Sequence, residues 1–160
     1  MTKRTQSLFF ASYTFIATVA AVYLFIAIAI VPYWQTLSGT EIQAWFGAHF
    51  GNFATMMVPV HGLTILTTIA LFVVNRKATG TRRVLWLVML VSMLICEVGF
   101  SAYFGAVLND PLSSGALEAD IALATLDQWD TLHVVRTVFI FIALVCLIVL
   151  QLMPNETSET

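Results

Sequence analysis

Trp129, His133 and Arg136 open the last apolar run of the chain, within Trp129-Asp130-Thr131-Leu132-His133-Val134-Val135-Arg136-Thr137. Residues three and four apart share a helix face, so these side chains, with Asp130, stand on one side. An arginine at the centre of a bilayer costs about 2.5–3.5 kcal/mol on insertion scales, and less near the interface. A residue carrying that cost faces a partner, water or the interior of a bundle. Two more ionisable side chains, His61 and Glu97, also lie inside apolar runs. Histidines and a carboxylate are ligands for iron, copper or zinc, so His61, Glu97 and His133 form one candidate metal set. Two histidines on separate helices are also a pair that ligates haem. A third chemistry needs no cofactor: a histidine or Glu97 acts as general base on an acidic aromatic substrate, and Arg136 stabilises the anion. No His-x-x-x-His pair occurs and nothing specifies a porphyrin pocket, so metal, haem and cofactor-free chemistry stay open.

Each residue also has a plainer reading. His61 follows Val58-Pro59-Val60 and could bond a carbonyl freed by the proline. Glu97 could be protonated, or pair with Arg136 as a structural staple. His133 could be a wet interfacial histidine, and Arg136 could snorkel toward water.

Composition decides the setting. The 160 residues are 59% hydrophobic and 10% charged, against roughly 25% charged in an ordinary soluble domain. Such a chain is expected to be an integral membrane protein whose partner is the lipid bilayer. A net charge of -2 with no basic stripe excludes a nucleic-acid partner. Cys96 and Cys146 lie deep in apolar runs and read as small hydrophobes rather than a disulfide.

Four segments reach the roughly 20 residues needed to span: about Leu8–Val31, Phe53–Val74, Val84–Val107 and Leu132–Met153. The first is too long for a signal-peptide core and no small-residue cleavage site follows, so it reads as a retained helix. Lys3, Arg4, Arg76, Lys77, Arg82 and Arg83 lie on one side of the spans, and the opposite loops carry only acidic charge. Both termini are therefore expected to be cytoplasmic, in a multi-pass protein of the cell (inner) membrane. The expected fold is an all-α, four-transmembrane-helix bundle, one domain over residues 1–160. Pro32 ends or kinks the first helix. A short amphipathic helix around Glu41 to His49 and another over Ala116–Asp127 are expected in the outer loops, and Asn109-Asp110-Pro111-Leu112 reads as a turn. The tail Asn155–Thr160 reads as frayed.

At about 1.5 Å per residue, His61 lies about 12 Å and Glu97 about 15 Å below the outer ends of their spans. Helices 2 and 3 are neighbours through the short basic loop. The intramembrane ionisable residues thus cluster in the outer half, where such groups are functional candidates by default. His49, Asn52, Ser101, Tyr103 and Asn109 could extend the cluster upward.

The layout resembles the small four-helix membrane proteins of the anthrone-oxygenase-like family over nearly the whole chain. The resemblance rests on Pro32 at the end of the first span, Asn52 to Pro59, the Asn-x-Pro-Leu of Asn109, Pro111 and Leu112, and the Trp-x-x-x-His-x-x-Arg-Thr of Trp129, His133, Arg136 and Thr137. The last is the most specific. The resemblance implies oxygenation of a polyketide-derived anthrone to an anthraquinone, by deprotonation of an activated carbon and reaction with dioxygen. Glu97 and His61 lie outside the motifs that carry it.

The leading expectation is a membrane oxidoreductase or oxygenase acting on a lipophilic small molecule, with His133, Arg136, Glu97 and His61 as catalytic residues. The alternatives are a non-enzymatic accessory or assembly subunit of a larger membrane complex or homo-oligomer, a metal- or haem-binding membrane protein, and a small-molecule or proton carrier. No inverted repeat supports the carrier.

Overall fold

The computed structural model describes residues 3–154, which are helical apart from short connections. Four helices are long and apolar enough to cross a membrane: α1 (Thr5–Trp34), α2 (Gly39–Val74), α3 (Gly80–Ser114) and α4 (Ala119–Leu152). The chain is a multi-pass membrane protein. Its outward surface carries large exposed apolar side chains, among them Phe10, Ile28, Val58 and Leu66. In water that surface would drive aggregation, whereas lipid tails solvate it.

The start of α1, the end of α2, the start of α3 and the end of α4 meet at one end, where Gln6, Asn75, Arg82 and Gln151 border a common pocket. Arg82 Nη2 donates there to the carbonyls of Met153 and Pro154, at 2.9 and 2.7 Å, and so ties the residues just past α4 to the start of α3. The tail Asn155–Thr160 lies outside the described residues.

The two loop segments expected to form short amphipathic helices are helical, but they are not separate elements. The stretch around Glu41 to His49 forms the first turns of α2, and most of the Ala116–Asp127 segment forms the first turns of α4. A capping box starts α2: Ser38 Oγ accepts from Glu41 N–H, and Glu41 Oε2 accepts from Ser38 N–H at 2.8 Å. With its donors met at Ser38, the helix runs on without a break. Its 36 residues span roughly 54 Å, well beyond a hydrocarbon core of roughly 30 Å.

Neither Pro32, expected to end or kink its helix, nor Pro111, expected in a turn, ends its helix. α1 continues through Pro32 to Trp34, and α3 continues through Pro111 to Ser114 before Gly115 turns at φ +69°. Each proline follows a wide π-helical turn, at Ile26–Ile30 and Phe104–Asn109. There the ladder has already shifted: Val31 N–H donates to Ile26 O, five residues back. A proline disturbs a helix least where the i→i−4 pattern is already broken.

The starts of α2 and α4 are bolted together. Gln43 Nε2 donates to Leu117 O at 3.0 Å, and Leu117 N–H donates to Gln43 Oε1 at 2.9 Å. Beside this bolt Gly39 packs on Ala119, so a Cβ at Gly39 would lie 2.1 Å from the Ala119 carbonyl oxygen. Backbone cannot yield there as a flexible side chain could. Gly39→Ala is therefore expected to destabilise the bundle by about 1–3 kcal/mol, read as a lower unfolding midpoint in detergent. An unchanged midpoint would show that the two helix starts do not touch.

The interior has two apolar cores. One, nearer the termini, includes Ile16, Leu71, Met89, Ile140 and Leu147. The other, toward the starts of α2 and α4, is aromatic and includes Trp34, Phe46, Phe104 and Trp129. The buried polar side chains include Glu97, Asn109, His133 and Arg136.

Candidate functional site

Glu97 lies in the π-helical segment Ile95–Phe100 of α3, and its side chain is fully buried. A buried carboxylate needs partners, and three donors surround this one. His61 of α2 pairs with Oε2 through Nδ1. Tyr23 Oη of α1 donates to Oε1 at 3.3 Å, and Cys96 Sγ donates to the same oxygen at 3.3 Å. Glu97 thus pairs with a histidine, not with Arg136, and His61 does not spend itself on a carbonyl freed by Pro59. The Nε2 of His61 makes no hydrogen bond with a described residue, and the ring lines a cavity.

Arg136 does not snorkel. It is 7% exposed, among three rings. Its Cζ lies 4.2 Å from the Tyr23 ring centroid, 4.3 Å from Phe104 and 5.5 Å from Trp129. Such cation–π contacts stabilise a desolvated guanidinium without neutralising it. Among the described residues it forms no ion pair, and its one side-chain hydrogen bond is Nε–H to His133 Nδ1 at 3.0 Å. Its terminal nitrogens make no hydrogen bond with a described residue, and Arg136 lines a cavity.

His133 is not a wet interfacial residue: it is 0% exposed. Its Nε2 lies 2.9 Å from the Tyr23 carbonyl oxygen, which only accepts, so Nε2 carries the proton. Nδ1 then accepts from Arg136, and Trp129 stacks on the ring at 4.8 Å. Both nitrogens are occupied, and His133 does not line the cavity. No group of three or more His, Cys, Asp or Glu side chains is placed to hold a metal ion among the described residues. His61 and Glu97 meet, and His133 is engaged elsewhere.

The cavity has a volume of about 640 Å³, within the usual range for small-molecule sites. All four helices contribute. Its charged end holds Tyr23, His61, Glu97 and Arg136, and its walls are aromatic, with Trp34, Trp45, Phe46, Phe50, Phe53 and Phe104. Of the residues expected to extend the cluster, Ser101 and Asn109 line the cavity. Asn52 is exposed. His49 is exposed against Trp45, Tyr103 takes a hydrogen bond from Gln128, and Asp130 reaches Gln35.

Tyr23 is the residue the sequence reading missed. It bonds Glu97, supports Arg136 and offers its carbonyl to His133. Its signal was position, because a tyrosine well inside a span departs from the usual preference for the interface. The π-helical turns had no visible signal.

The anthrone oxygenase family model matches residues 45–146 of the chain. No curated protein and no solved structure matches it. The matched stretch includes His61, Glu97, Asn109, Trp129, His133 and Arg136 but not α1, which supplies Tyr23 and Trp34.

Proposed function

The chain belongs to the anthrone oxygenase family, and from that premise we propose that it is a membrane oxygenase acting on a lipophilic aromatic substrate with an acidic proton. One observation carries the reading: a histidine–carboxylate pair and an arginine without a counter-ion line the same aromatic cavity.

The division of labour follows from the hydrogen bonds. Glu97 holds Nδ1–H of His61, which leaves the Nε2 lone pair toward the cavity as general base. When Nε2 takes a proton, Glu97 stabilises the imidazolium. The substrate is left as a delocalised anion, and its oxygen finds the terminal nitrogens of Arg136 in a low-dielectric site, where a fixed charge acts most strongly. The electron-rich carbon then reduces dioxygen and forms a C–O bond to a peroxide. The imidazolium returns its proton, and loss of water leaves a carbonyl: a CH₂ group and dioxygen become C=O and water. The aromatic walls favour a flat molecule and exclude water. His133 and Trp129 act as positioning residues that fix the Arg136 head.

The test is dioxygen uptake by the protein in lipid nanodiscs supplied with an anthrone. Uptake is expected in proportion to protein, with a quinone chromophore appearing at one molecule per dioxygen consumed. Uptake no faster than in protein-free nanodiscs would overturn the oxygenase reading and favour an accessory subunit.

A further inference from the structure

The pocket bordered by Arg82 lies where α1 starts and α4 finishes, and it shares no lining residue with the aromatic cavity. Its volume is about 190 Å³, below the roughly 300 Å³ at which sites for drug-sized molecules begin. Each helix gives it one polar side chain: Gln6 from α1, Asn75 just past α2, Arg82 from α3 and Gln151 from α4. The lining thus holds one cation and three amides, and no carboxylate.

The Arg82 charge is not neutralised. Its Nη2 meets only the uncharged carbonyls of Met153 and Pro154. Its Nε and Nη1 make no hydrogen bond with a described residue, and no described carboxylate pairs with it. The side-chain amides of Gln6 and Gln151 have no described partner either. A guanidinium with spare planar donors, beside free amides, suits the oxygens of a phosphate. The level suits one too. Val74 and Leu152, next to Asn75 and Gln151, are exposed apolar side chains, whereas Arg76, Lys77 and Arg83 in and beside the α2–α3 loop are exposed and basic. In a bilayer, apolar surface that ends in exposed cations marks the depth of the headgroups.

We propose that this pocket is a binding site for a phosphate group, carried by an anionic lipid or free in solution. Arg82 takes its oxygens, and Gln6 and Gln151 donate to the same group. Bound there, the anion ties α1, α3 and α4 together, so its occupancy stabilises the bundle. The site does not depend on the activity proposed above.

Unfolding midpoints of the full chain in detergent test it. The additions are phosphatidylglycerol, diacylglycerol with the same chains, and inorganic phosphate against chloride at equal ionic strength. A saturating phosphate source is expected to raise the wild-type midpoint by about 5 °C, and diacylglycerol to leave it unmoved. Arg82→Gln should lose the shift, but it also gives up the bonds to Met153 and Pro154. Gln151→Glu keeps those bonds and places a carboxylate on the pocket wall, so it should hold the starting midpoint and lose the shift. Lys77→Gln removes an exposed charge outside the pocket and should keep most of it. A shift with phosphatidylglycerol alone assigns the site to a lipid headgroup, and one with inorganic phosphate extends it to soluble anions. A midpoint that neither phosphate source moves would overturn the site, as would an equal rise with diacylglycerol. So would a shift that survives in Gln151→Glu. A shift lost as fully in Lys77→Gln as in Arg82→Gln would reduce it to a general pull of basic residues on anions, and would overturn the site as well.

Discussion

Arg136→Gln is expected to lower turnover of an acidic aromatic substrate by about 10²–10³-fold, the usual loss when one fixed stabiliser of a developing anion is removed. The guanidinium is held by Tyr23, Phe104, Trp129 and His133 and opposes no carboxylate among the described residues. Its charge is therefore not spent on the fold. Removing it relieves an uncompensated buried cation, so the unfolding midpoint should hold or rise while activity falls. A neutral analogue of the substrate should bind Arg136→Gln nearly as well as the wild type, because only the anion meets the charge. Arg136→Lys separates charge from geometry. It keeps the cation but has no Nε–H for His133 Nδ1, so it should recover part of the loss and not all of it. A midpoint that collapses in Arg136→Gln, or activity that persists, would make Arg136 a structural residue.

The second large effect is expected at His61. His61→Gln keeps an amide that can donate to Glu97 but removes the base, and should lower the turnover number by about 10²–10⁴-fold with little change in KM. Glu97→Gln leaves the imidazole in place without its carboxylate. It should cost less than loss of the imidazole, because His61 can still accept a proton, only less favourably. The double variant should be no worse than His61→Gln alone, since the two side chains act as one unit. Additive losses would mean that Glu97 meets the substrate by itself. His61 and Glu97 face each other across α2 and α3, so a wild-type midpoint for either variant keeps a kinetic loss from being read as unfolding.

Much of this molecule was legible in one dimension, because the bilayer makes two demands that composition alone reveals. A span needs about 20 apolar residues, and a charge within it needs a reason. Those demands picked out four helices, and they picked out His61, Glu97, His133 and Arg136 from an apolar background. Period and spacing put Trp129, His133 and Arg136 on one face, and the structure stacks them there. The Trp-x-x-x-His-x-x-Arg-Thr stretch led to the family that the match over residues 45–146 supports.

Pairing was beyond the sequence. The sequence offered Arg136 as a partner for Glu97, and the pairing with His61 instead depends on how side chains meet across three helices. Spacing along one helix carries no information about rotation between helices. The same holds for Tyr23, which looked like one aromatic among many until α1 was set against α3 and α4. It holds as well for the π-helical turns at Ile26–Ile30, Ile95–Phe100 and Phe104–Asn109. A single extra residue in a ladder leaves no mark on hydropathy, yet buried Glu97 and Asn109 lie in such turns, and the helices continue through Pro32 and Pro111 just after them. Which residues can do chemistry was set by residue type and depth in the membrane. Which of them share a proton, and which is left holding a charge for a ligand, was set only when the four helices packed.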